Sequence, residues 1–290
     1  SVTTDVTSTD AWWTTADGTG LGTGGSHPAS MSDANSIFNI QNSSVPATIS
    51  TNLTLDPSSK FVVGGGTSPA LFSIPSTASL SGKIDVTANG TLNIAHLTIN
   101  PTLNTLNATS TVAFTGASAQ TIPAATYGNL TVSTTGGNAT AGGAIVANTS
   151  LTISSGSTFD LAANTLTGTT LATSGTGALK TQSTSGTPIP FNKTWSFDVD
   201  YNGTGAQTII PGIYNNLLLT NARTGSPTIT LGNGTIAVGG AFTVTATGIG
   251  SFGLTNSVVD FTSASSQTIP AISYRNINNS GNGPRVLPNG

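Results

Sequence analysis

The sequence predicts an all-β chain, specifically a right-handed parallel β-solenoid with an N-terminal cap. Three observations carry that expectation. Only 6% of the 290 residues are charged, against about 25% in an ordinary globular domain. Thr, Ser, Asn and Gly stand in their place, and Thr, Val and Ile favour extended strands over helix. Short runs alternating apolar and small polar residues recur along nearly the whole length, broken by Gly and Asn turns, which is the period-2 signature of strands. Finally, one element occurs three times without being a domain in its own right, as expected of stacked repeats.

That element is read at 114–130 (FTGASAQTIPAATYGNL), 201–217 (YNGTGAQTIIPGIYNNL) and 261–277 (FTSASSQTIPAISYRNI). Each copy runs aromatic, small polar loop, Gln-Thr-Ile, Pro, Tyr-x-Asn and an aliphatic residue. Gln120 and Tyr127, Gln207 and Tyr214, and Gln267 and Tyr274 are each seven residues apart. Pro123, Pro211 and Pro270 mark a corner, because proline cannot donate to a strand ladder. The expectation is that the three Tyr hold one place on their coils and that Gln and Asn stack in ladders along the axis. The interval from Gln120 to Gln207 is longer than that from Gln207 to Gln267. With coils of roughly 20–29 residues, the two intervals fit about four and three coils.

In chain order, residues 1–50 read as the cap segment and 51–290 as the solenoid body. The cap holds Trp12, Trp13, a Gly-rich loop at Asp17–Gly25, and Ile37, Phe38 and Ile40. Trp12 or Trp13 would lie as a lid on the first coil, since an open solenoid end exposes core and unpaired strand edges. The competing reading of this pair is an aromatic sugar-binding platform. In the body, Leu92 and Ile94 are followed by Leu97 and Ile99, a parity slip that places a bulge or corner near Ala95-His96. Trp195, Phe197, Val199 and Tyr201 alternate with Ser196, Asp198 and Asp200, the clearest inside–outside strand of the chain. After the third copy, Pro284–Gly290 reaches the point that Pro227–Gly234 reaches after the second, so the visible chain is expected to end mid-repeat. The alternative architecture is a pair of tandem antiparallel β-sandwich domains divided near Ser183–Pro188.

The composition excludes several functions. Seven Lys and Arg against ten acidic residues, all of them Asp, give a net charge of −3, with no basic stripe to neutralise phosphates. No apolar run is long enough to cross a membrane as a helix. Without cysteine, the body is expected to be held by its core and backbone ladders. His27 and His96 have no metal-ligand spacing. Asp198 and Asp200 form an i, i+2 acidic pair and are a weak Ca²⁺ candidate, but neither they nor the scattered Arg223, Arg275 and Arg285 make the paired-carboxylate groove of a polysaccharide-cleaving β-helix. The chain is therefore expected not to be an enzyme and to need no cofactor. Thr-rich faces that order ice would need Thr-x-Thr in constant register, which Thr152 and Thr243 do not suggest.

The Gln-Thr-Ile-Pro…Tyr-x-Asn-Leu pattern, with Tyr201–Ala206 before the second copy's Gln and Gly-rich turns after it, resembles repeats of large secreted surface proteins from Bacteroidetes and related bacteria. The stretch Phe159–Gln207 resembles the linking part of such repeats. The order Trp13, Pro28, Asp33, Ile37 resembles how many of these chains begin. The resemblance implies a filamentous, adhesin-like, extracellular structural protein, often exported by the type IX route. No C-terminal secretion domain is visible, which leaves that route open. The expected partners are further repeats of the same polypeptide or a second copy stacked end to end, with surface glycans as the alternative through Trp12 and Trp13.

Overall fold

The computed structural model describes residues 4–5, 34–41, 46–97 and 101–288. The cap expected over residues 1–50 falls largely outside these, as do Trp12, Trp13 and His27. Among the described residues there is no helix, and all paired strands run parallel. Parallel pairing of successive short strands requires the chain to travel once around a body before it meets itself again. The result is a β-solenoid of about twelve coils. The antiparallel sandwich alternative is excluded by the same pairings, and no break divides the chain near 183–188.

The coils are unequal in length. Val199 meets its ladder partner at Leu217, whereas Leu53 meets its own only at Leu80, half as far again along the chain. A nine-stranded sheet runs along the first part of the body, from Thr4–Asp5 and Ala47–Thr48 to Leu166–Thr167 and Ala172–Ser174. A five-stranded sheet, Thr194–Trp195 to Asn276–Asn278, continues it. The join is made by side chain rather than ladder: the Thr173 hydroxyl donates to the Thr194 carbonyl at 2.5 Å and accepts from Ser196 N–H at 3.1 Å. A second, seven-stranded sheet runs from Gln120–Ile122 through Asp198–Tyr201 to Phe242–Val244.

The core is one continuous column system. Ile74, Ile94, Phe114, Val132 and Ile153 stack in register, all at 0–1% exposure. Phe159, Leu179, Val199, Leu217 and Phe242 stack likewise on the second sheet, all buried. Near the N-terminal end the stack is aromatic, with ring centroids 5.5 Å apart for Phe38–Phe61 and 5.1 Å for Phe61–Phe72. At about 25 cal/mol per Å² of apolar surface removed from water, these columns are what holds a body without disulfides together.

Corners are where backbone geometry is demanding. Gly175 has φ +92°, and a Cβ there would drive into the Ile153 carbonyl of the coil below. Only glycine tolerates both that conformation and that approach. The parity slip at Ala95-His96 is such a corner: the strand Gly90–Ile94 ends there. The sequence's clearest strand proves to be two. Thr194–Trp195 and Asp198–Tyr201 belong to different sheets, with buried Phe197 turning between them. Alternation persists around the bend because both arms keep the same side inward.

Candidate functional site

The three repeat elements build the same device at three corners. Each Gln side chain folds back on its own coil, where its Oε1 accepts from the backbone N–H four residues earlier. The distances are 2.7 Å for Gly116 to Gln120, 2.9 Å for Gly203 to Gln207 and 3.1 Å for Ser263 to Gln267. Each Nε2 reaches down to two carbonyls of the preceding coil. Gln120 donates to Ile94 and His96 at 2.9 and 3.0 Å, and Gln207 to Thr181 and Ser183 at 2.8 and 3.4 Å. Gln267 donates to Val238 at 2.9 Å and to Gly240. Ile94, Thr181 and Val238 are the ladder partners of the motif's own aromatic, Phe114, Tyr201 and Phe261. All three Gln are buried. The Gln is thus a clamp that gives a turning N–H its acceptor and brings a second donor to the Ile94, Thr181 and Val238 carbonyls, which also accept from the Thr115, Asn202 and Thr262 N–H groups.

The Tyr closes the other side of the corner. Its hydroxyl donates to the carbonyl four residues back, Pro123 for Tyr127 at 2.7 Å and Pro270 for Tyr274 at 2.9 Å. In the second copy the acceptor is Ile210, because an inserted isoleucine moves Pro211 one place on. The acceptor's distance from Tyr, and not the proline, is therefore the constant. Tyr201 joins this corner, accepting from Ile210 N–H at 3.0 Å and lying 3.3 Å from the Tyr214 hydroxyl. Burial disfavours the phenolate. It pushes Tyr201 up to about 12, and Tyr127, Tyr214 and Tyr274 upward as well. The motif Asn ties coils on the outside. Asn129 donates to the Ser110 carbonyl at 3.0 Å and accepts from Ser150 Oγ at 2.7 Å, and Asn216 accepts from Ala241 N–H at 2.6 Å.

Two sequence expectations need correction. The Gln residues do not stack into a ladder: the partner above Gln120 is Ala139, above Gln207 is Ile229, and above Gln267 is Arg285. The copies also do not share one face. The strand of Gln120 and the strand of Tyr201 lie in the same sheet, although one carries the clamp and the other the aromatic. From Gln120 the column passes through Ala139, Phe159, Leu179 and Val199 before the chain reaches Gln207. The interval is four coils plus one further face, so the second copy is rotated about the axis.

Sequence reasoning missed the arginines. Arg223 and Arg285 read in the sequence as scattered charges, yet each performs the clamp one coil above a repeat. Arg223 donates to the carbonyls of Gly203 and Tyr201 and to Gln207 Oε1, the last two at 2.7 and 2.6 Å. Arg285 donates to Phe261 and Ser263 at 2.7 and 3.0 Å. Burial lowers the Arg223 pKa, with the charge of Asp200 opposing. The signal in sequence is faint, since Arg223 and Arg285 follow their motif aromatics, Tyr201 and Phe261, at slightly different distances. The first copy has Ala113 where the others have Asp200 and Asp260 before the aromatic, and no arginine follows it within a coil.

Asp198 and Asp200 both face outward, but each is engaged singly with the coil above. Asp198 accepts from Asn216 Nδ2 at 2.7 Å, and both Asp200 oxygens accept from the Thr220 hydroxyl, at 2.9 and 2.8 Å. Burial raises the Asp200 pKa, against the lowering effect of Thr220, Lys180 and Arg223. Asp260 repeats the arrangement with Ser280, at 2.9 Å to its hydroxyl. These are coil-to-coil staples. No group of three or more His, Cys, Asp or Glu that could hold a metal ion occurs among the described residues.

An apolar cavity of about 590 Å³ opens beside the last coils, lined chiefly by Phe242, Val244, Ile249, Phe252, Ile269 and Ile272. None of its lining residues is ionisable, and its side-chain hydroxyls come from Thr243 and Thr268. The outward column Thr48, Ser73, Asn93, Ala113, Thr131, Thr152 and Ser174 is in register but mixed in chemistry, not a uniform rank of Thr. No family model matches the chain, and neither a curated protein nor a solved structure does.

Proposed function

We propose that this chain is a structural segment of an extracellular, adhesin-like surface protein, whose task is length, stiffness and display and not catalysis. The observation that carries the reading is where the polar chemistry is spent. Gln120, Gln207, Gln267, Arg223, Arg285, Asp198, Asp200 and Asp260 all bind the neighbouring coil. A solenoid that uses its functional groups on its own axis is built to persist. The resemblance of the repeat to secreted surface proteins of Bacteroidetes supports the same setting. Further coils, from the same polypeptide or a second copy, are the partner this reading expects.

The carbohydrate-binding alternative rests on Trp12 and Trp13, which lie outside the described residues. Phe191 is the sole aromatic among the exposed large apolar side chains described. Electron microscopy with light scattering of the purified chain tests the structural reading. About twelve coils at about 4.8 Å each give a rod of roughly 58 Å, and the reading expects such rods, lengthening with concentration if copies stack. Globular particles, or specific glycan binding lost on changing Trp12 and Trp13, would overturn it.

A further inference from the structure

The ion pair between Lys60 and Asp85 sits in an unusual triad. Lys60 Nζ donates to Asp85 Oδ2 at 2.6 Å, and Asn104 Nδ2 donates to Asp85 Oδ1 at 2.7 Å. The three residues lie on three successive coils of one sheet, in the strands Lys60–Val63, Lys83–Val86 and Thr102–Leu106. Asp85 is in the middle. Its side chain is 8% exposed and that of Lys60 32%. Asn104 is where the register of the third strand shifts: Leu103 pairs with Ile84 and Thr105 with Asp85, leaving Asn104 as the extra residue. A bulge re-aims a side chain, and here it turns a carboxamide onto the carboxylate that already holds the amine.

An amine and a carboxamide held on the two oxygens of one carboxylate are the reactants and the proton carrier of an amide exchange. We propose that Lys60 and Asn104 form an intramolecular isopeptide bond, with Asp85 as the catalytic acid–base. Asp85 takes a proton from the Lys60 ammonium. The freed amine attacks Asn104 Cγ, forming the Nζ–Cγ bond. The amine's surplus proton and the one Asp85 already holds both pass to the Asn104 nitrogen, the Cγ–Nδ2 bond breaks and the nitrogen leaves as ammonium. Atoms and charge balance without oxidant or cofactor, and the carboxylate is regenerated. Holding two reactants on one group makes their encounter intramolecular, which lowers the barrier to such a step. The product ties the first and third of these coils together covalently across the second, in a chain that has no cysteine with which to do it otherwise.

Mass spectrometry of the purified, folded chain decides the matter. The expected result is an intact mass lower than the sequence by one ammonia, and a digest containing one branched peptide that joins Lys60 to Asn104. Lys60→Arg keeps the charge and removes the nucleophile, so it restores the sequence mass; Asp85→Ala does so too. A wild-type chain at its sequence mass after prolonged incubation, with Lys60 and Asn104 in separate peptides, overturns the proposal. So does an ammonia loss that survives Lys60→Arg, since that marks cyclisation of an asparagine such as Asn89 beside Gly90.

Discussion

Gln120→Ala isolates the clamp. Gln120 is 3% exposed and makes three hydrogen bonds, to Gly116 N–H and to the carbonyls of Ile94 and His96. Its removal breaks three hydrogen bonds and leaves the Gly116 N–H without this acceptor, while the Ile94 carbonyl keeps the Thr115 N–H at 2.9 Å. At about 1 kcal/mol for each hydrogen bond lost, the cost is about 3 kcal/mol. Ser118→Ala, in the same loop but exposed, is the control and costs within about 0.5 kcal/mol. A body of stacked coils opens locally, so a single global melt understates the effect. The assay is hydrogen exchange, read at Gly116 and in the coils on either side. The expected outcome is protection falling by about two orders of magnitude at this corner, with coils near Trp195 unaffected. A loss under about 1 kcal/mol, or one spread evenly along the body, refutes the idea that the Gln closes its own corner. Gln120→Glu adds a sign. A carboxylate facing two carbonyls has its folded pKa raised, so its penalty appears as pH rises above the unfolded value of about 4.3. That variant melts closer to wild type at pH 4 than at pH 7.

Other corners give further outcomes. All four tyrosines of the chain, Tyr127, Tyr201, Tyr214 and Tyr274, have raised pKa values. Spectrophotometric titration will show no tyrosinate near pH 10 in the folded chain. Because the unfolded phenols ionise at about 10, stability is retained below that pH and falls above it, with ionisation and unfolding in one transition. Arg223→Lys keeps the charge but cannot span the carbonyls of Tyr201 and Gly203 together, and urea unfolding of the C-terminal coils will register a loss of about 1–2 kcal/mol. Gly175 combines a left-handed φ with a close approach to the coil below, so Gly175→Ala will cost more than about 1 kcal/mol in the same measurement. A fully stable variant would show that the corner there relaxes.

Much of the fold was legible because alternation and turn residues carry it directly. Trp195, Phe197, Val199 and Tyr201 face inward as the period-2 pattern requires, and the slip at Ala95-His96 is a corner. The pattern could not show that Trp195 and Tyr201 belong to different sheets, since alternation reports which side faces in and is silent on bending. The clamp was legible as a spacing, Gln to Tyr, but its chemistry was not, because its partners are backbone carbonyls on another coil. Arg223 and Arg285 were hidden for a related reason. Coil length varies, as the pairs Val199–Leu217 and Leu53–Leu80 show, so equivalent positions on successive coils do not recur at one interval.

The rotated second copy has an evolutionary consequence. Gln207 needs only a backbone N–H of its own coil and two carbonyls of the coil beneath, and places no demand on which side chains that coil carries. A clamp that takes only main chain from the coil beneath it can be copied into a new place by recombination without matching the side chains of that coil. It need not arrive after a whole number of coils either, as the four coils and one further face between Gln120 and Gln207 show. Tandem duplication of such a gene can therefore lengthen the protein in unequal steps, each insertion bringing the contacts that seat it.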